Sequence, residues 1–86
     1  TQYNTALAYY ERCRTIWEQI LPAQHPYLAM LYHNIAELYS DQSQFPEAKA
    51  YIDKAVAIYQ QILLPEHLHL QQALKLQNHI YQNLLP

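Results

Sequence analysis

An all-α chain, built as about four helices in stacked antiparallel hairpins, is the architecture this sequence predicts. Three observations predict it. The 86 residues contain no glycine, whereas the tight turns of β-sheets usually draw on glycine for a positive φ. Four segments carry apolar side chains at the helical period of 3.6 residues. The sequence also repeats itself at a fixed offset, in a unit long enough for two helices and two loops. Ala, Leu and Gln are abundant, and all three favour helix.

The first segment covers residues 4–21, with Ala6, Tyr10, Cys13, Trp17 and Ile20 on one face. Pro22 and Pro26 bracket the connection that follows, and proline is tolerated in the first turn of a helix. The second segment, 26–41, aligns Leu28, Leu31, Tyr32, Ile35, Leu38 and Tyr39. A polar break, Asp41 to Gln44, ends it. Pro46 and Glu47 open the third, 45–63, where an acid suits the helix dipole. Its stripe is Ala48, Ile52, Ala55, Tyr59 and Ile62. Pro65 separates it from the fourth, 67–85, whose stripe of Leu70, Leu74, Ile80, Tyr81 and Leu84 is interrupted by Gln77. The connections are short, so neighbouring helices pack antiparallel.

A shift of 42 residues superposes the two halves. Ala6 falls on Ala48, Tyr9 on Tyr51, Ile16 on Ile58, Ile20 on Ile62, His25 on His67, Leu28 on Leu70 and Tyr39 on Tyr81. Arg12 matches Lys54 and Trp17 matches Tyr59 in kind. The repeating unit is a helical hairpin that stacks on itself.

Composition removes several function classes. The net charge is −2, and the five Lys and Arg residues are scattered, which leaves no electrostatic footprint for nucleic acid and no polybasic membrane patch. No apolar run approaches the roughly 20 residues of a membrane span. A lone cysteine, Cys13, cannot form an internal disulfide and suits a reducing, cytoplasmic setting. It shares a repeat position with Ala55, so a small residue at a helix contact explains it without nucleophilic chemistry. His67 and His69, two apart, would diverge by about 200° on a helix and so do not chelate one ion. The repetition of His25 at His67 suggests a loop or cap role. Glu11 with Arg14, and Lys49 with Asp53, have the spacing of solvated helical ion pairs. Without glycine there is no phosphate loop. No cofactor, metal or catalytic constellation is expected, and the chain is not expected to be an enzyme. Thr1 as the first residue, with Met30 the only methionine, suggests a processed or excised chain.

His25 to Ala29 through His33 to Tyr39, followed by Phe45 to Ala48 through Ala55 to Tyr59, resembles the tetratricopeptide repeat, in the 42-residue form of kinesin light chains and many bacterial regulators. Small residues at Ala36, Ala48 and Ala55 would let helices approach, with Tyr39, Ile52 and Tyr59 filling the remaining space. Two departures stand out. The family prefers glycine where this chain has Asp41 to Gln44. Asn78 also occupies the position that corresponds to Ala36, which a slip of two residues would instead assign to Asn34. The helix order implied is second, first, second, first. One complete repeat is therefore flanked by two halves, as a single domain or a fragment of a longer array, open to self-association through its ends.

The resemblance implies a protein-interaction module or scaffold with a peptide or protein partner. First helices of such repeats line a concave surface. Here they would present Met30, His33, Glu37 and Ser40, with Asn34 at the edge, and Gln72, Lys75 and His79 from the fourth helix. His33 and Asn34 stand where kinesin light chains carry two asparagines that grip peptide backbone; Asn34 matches and His33 departs. Of the nine tyrosines, Tyr10, Tyr39 and Tyr59 fit the core, while Tyr9, Tyr27 and Tyr32 offer an alternative recognition surface. The competing reading is a structural or oligomerisation spacer with no peptide ligand.

Overall fold

The computed structural model describes residues 2–86. It has four helices: α1 (Gln2–Ile20), α2 (Pro26–Asp41), α3 (Phe45–Ile62) and α4 (Leu68–Leu84), with no strand among the described residues. Ring pairs along α3 and α4 run in opposite order, Phe45 with His79 and Tyr59 with His69, so these two helices are antiparallel. The Tyr39–Tyr51 stack near the α2–α3 turn marks the same relation there. α2 and α4 therefore lie parallel on one side of α3, in contact with each other.

The turns obey the repeat in atomic detail. Leu21 N–H donates to the Trp17 carbonyl at 2.9 Å and His25 N–H to the Pro22 carbonyl at 3.0 Å. Leu63 to Tyr59 at 2.8 Å and His67 to Leu64 at 3.0 Å are their counterparts. His25 Nδ1 then accepts the Tyr27 N–H at 3.0 Å, and His67 Nδ1 accepts that of His69 at 3.1 Å. Imidazole here does the work usually done by a serine or aspartate oxygen at a helix start. The shared caps, and buried Leu28 and Leu70, hold the 42-residue register at the start of α4 without a slip. His67 is thus a cap outside the helix, so the expected divergence from His69 does not apply: the two rings lie 5.1 Å apart.

Between α2 and α3, Ser43 adopts φ 60°. Gln44 N–H reaches the Tyr39 carbonyl and Ser43 N–H that of Ser40, both at 2.9 Å, the bonding pattern of a helix end closed by a left-handed residue. Glycine usually sits there, because a Cβ costs about 1–2 kcal/mol in this conformation. Ser43→Gly should therefore stabilise the fold, less the extra freedom glycine gives the unfolded chain, by about 0.5–1 kcal/mol. A urea midpoint that falls rather than rises would contradict this.

Ala29, Ala36, Ala48, Ala55 and Ala73 are fully buried, as are Ile35, Ile52 and Ile80. Helix separation depends on the side chains at the contact, and methyl groups permit a close one. α2 and α3 form the most extensive pair, α3 and α4 the next, and the backbone of α1 packs closely only against that of α2. α1 has no buried residue. Ala6 and Cys13 are only half-buried, because α1 is covered on one side. Ile20, expected on the apolar face, is exposed in the final turn, beyond the packed region, as is its counterpart Ile62.

Tyrosine hydroxyls compensate for the thin packing of α1. Glu11 accepts from Arg14 at 2.8 and 3.0 Å and from Tyr51 of α3 at 3.0 Å. Arg14 also reaches Glu18 at 3.2 Å, and Glu18 accepts the Tyr32 hydroxyl of α2 at 2.5 Å. Burial and the bond to Glu11 push the Tyr51 hydroxyl up to about 12. Asp53 does the same between α3 and α4, accepting from Tyr81 at 2.7 Å, Lys49 at 2.9 Å and Gln77 at 3.0 Å. Partial burial pushes its carboxyl up, but these three donors outweigh it and hold the group below its ordinary value. The acids expected as solvated ion pairs are therefore also clamps between helices, and charged acceptors make such bonds strong.

Candidate functional site

The parallel pair α2 and α4, with α3 behind them, encloses a cleft of about 270 Å³. Met30, His33, Asn34 and Glu37 of α2 line it, with Gln72 of α4 opposite. Spacings of three and four residues keep the α2 set on one face. Tyr59 and His69, outside the expected stripe, also line it. Tyr59 is a core residue whose ring forms the floor, and His69 stands three residues before Gln72 on the same face of α4. Lys75 and His79 continue that face but do not line the cleft. Lys75 is exposed, and the His79 ring packs edge-on to Phe45 at 6.1 Å. Ser40, expected on the exposed stripe, is buried beside the α2–α3 turn, so the stripe ends at Glu37. Tyr32 is also buried, bonded to Glu18, and belongs to no recognition surface; Tyr9 and Tyr27 are exposed.

The lining is polar but almost uncharged. Burial lowers the pKa of His33; Glu37 raises it and His69 lowers it further. The ring is neutral at pH 7 and offers one donor and one acceptor. Asn34, half-buried, and Gln72 each offer both through an amide. Glu37 is the only Asp, Glu, Lys or Arg on the wall. Beside this cleft, and sharing Met30, Tyr59 and His69 with it, lies an apolar depression of about 190 Å³ that includes Tyr27 and Ile62. Side chains of this kind match a backbone, whose groups are neutral and come as N–H and C=O pairs.

Folding keeps His33 unprotonated below the ordinary value of 6.5. The unfolded chain then binds more protons than the folded one as pH falls through that value, so stability is present above it and declines below it. The urea midpoint should drop between pH 7.5 and 5.5, and His33→Asn should reduce the drop. The same drop in both proteins would contradict this account of His33.

Among the described residues, no group of three His, Cys, Asp or Glu side chains could hold a metal ion, and no helix is long and apolar enough to cross a membrane. Comparison with known families finds that the tetratricopeptide repeat pattern matches residues 1–61. No curated protein and no solved structure gives a significant match.

Proposed function

Because the chain belongs to the tetratricopeptide repeat family, a family of interaction modules that generally mediate protein–protein contacts or scaffolding, we propose that its α2–α4 cleft holds a short extended peptide of a partner protein. The observation that supports this reading most is the lining itself. Two parallel helices bring neutral donor–acceptor side chains, His33, Asn34 and Gln72, to one concavity. An extended peptide has unpaired backbone groups that such side chains satisfy. Met30 adapts its shape to whatever side chain the peptide presents. Lys75 and His79 meet the ligand only where it runs on past Glu37. The free Cys13 is compatible with a cytoplasmic role.

One cleft of this size supports affinity of about 1 μM, roughly −8 kcal/mol. Further repeats or multivalent display would strengthen it. Selection from a displayed random-peptide library tests the reading. The enriched peptide should bind the chain in a calorimetric titration. Asn34→Ala should weaken it about 5- to 150-fold, the effect of about 1–3 kcal/mol for a backbone group left unpaired, with helicity unchanged. Failure to enrich any peptide, or equal binding by Asn34→Ala, would favour a spacer without a peptide ligand.

A further inference from the structure

The cleft between α2 and α4 changes character along its length. Towards the starts of both helices it opens into the apolar depression of about 190 Å³, walled by Tyr27 and Met30 of α2, Ile62 and Leu63 where α3 ends, and His69 of α4. Three of these side chains face solvent: Tyr27 is 54%, Met30 43% and Ile62 37% exposed. The aromatic part of the wall is held in place. The Tyr27 ring packs against those of Trp17 at 5.9 Å and His25 at 4.7 Å, and the His69 ring against those of His67 at 5.1 Å and Tyr59 at 6.1 Å. A preformed wall loses little entropy when it is filled. The volume is below the roughly 300–1,000 Å³ of a small-molecule pocket and suits one bulky apolar side chain. At the other end of the cleft stands Glu37, which is exposed. Among the described residues the ion pairs are those of Arg14 with Glu11 and Glu18 and of Lys49 with Asp53, so the Glu37 carboxylate has no cation of its own. His33, one turn back, is neutral at pH 7 because burial lowers its pKa, and Lys75 does not line the cleft.

We propose that the peptide taken by this cleft carries a bulky apolar residue and a Lys or Arg four positions apart, the first seated in the depression and the second paired with Glu37. The motif rests on the cleft holding an extended peptide, and it names which peptide. Tyr27 and Met30 precede Glu37 by ten and seven residues on α2, about 15 and 10 Å of helix. An extended chain covers that distance in three to five residues at about 3.3 Å each. Its successive side chains alternate in direction, so a spacing of four turns both residues towards the same wall. The backbone between them passes His33, Asn34 and Gln72, whose side chains offer it donors and acceptors. The spacing holds for either direction of the peptide chain. An acidic residue in place of the Lys or Arg meets Glu37 with like charge and is rejected.

Selection from a displayed random-peptide library against the whole chain reads the motif directly. The expected result is enrichment of a bulky apolar residue with Lys or Arg four places away. The same selection against Glu37→Lys should change the enriched charge from basic to acidic and keep the apolar residue. With one enriched peptide as probe, Glu37→Gln should weaken binding about 2- to 5-fold, an effect that added salt reduces. Ile62→Ser should weaken it about 4- to 15-fold, as one or two methylene groups lose their cover. Once the apolar residue of the probe is itself replaced by serine, Ile62→Ser should cause no further loss. Glu37 and Ile62 are both exposed, so the variants keep their helicity. Enriched peptides that lack the pair, or that bind Glu37→Gln and Ile62→Ser as they bind the unaltered chain, overturn this motif. If Asn34→Ala still weakens those peptides, the cleft remains a peptide site of other specificity. If no peptide is enriched, the motif and the peptide site fall together.

Discussion

Ile52→Ala should lower the unfolding free energy by about 2–5 kcal/mol, read as a fall in urea midpoint at unchanged slope. Ile52 is fully buried in the central cluster, in the middle of α3, with α2 and α4 packed against that helix. Its neighbours one turn away on the same face, Ala48 and Ala55, end at a methyl group and cannot move into the vacated space. The cavity therefore persists, which places the loss in the upper half of the range. Small domains have about 5–15 kcal/mol in total, so the variant should lose a large fraction of its stability. A loss under about 1 kcal/mol would mean that the helices close over the gap, and that packing around α3 is looser than described.

Ala36→Leu tests the opposite error, excess volume at the close α2–α3 contact. Overpacking a tight site costs about 1–3 kcal/mol, and at a fully buried alanine between two helices the upper part of that range applies. Ala50→Leu is the matched control, since Ala50 is exposed on the other side of α3. Surface substitutions of this kind change stability by no more than about 0.5 kcal/mol. Equal effects at the two positions would remove the distinction between packing alanines and helix-forming alanines. Because α2 also carries the cleft, Ala36→Leu should weaken peptide binding even in molecules that remain folded.

The helices were legible because their cause is local. Apolar spacing, Pro26, Pro46 and the polar break at Asp41 act over one or two turns, and the repeat of Ala6 at Ala48 shows that two hairpins share one geometry. The register of α4 needed more than spacing: a slip of two residues sets Asn78 against Asn34 rather than Ala36, and the imidazole cap at His67 fixes the 42-residue offset at the start of the helix. Burial on α1 was not legible, because Cys13 and Ile20 depend on what covers the helix rather than on their place in the period. The tyrosine clamps were hidden for a related reason. Tyr51 and Glu11 are 40 residues apart, and no local pattern joins them. In the cleft, Met30, His33, Asn34, Glu37 and Gln72 followed from the implied roles of α2 and α4. His69 had a signal in its spacing from Gln72, whereas Tyr59 reads as core because its ring is both core and floor. Lys75 and His79 share the periodicity but fall outside, since the cleft closes before the α4 face does.

The most direct test of the cleft is an NMR titration of the labelled chain with a library-selected peptide, following the side-chain amides of Asn34 and Gln72. The account predicts that both shift together and saturate with the peptide, along with the imidazole signals of His33 and His69. A peptide that binds tightly while those amides stay unmoved, with its contacts on α1 or on the outer side of α3, would contradict it.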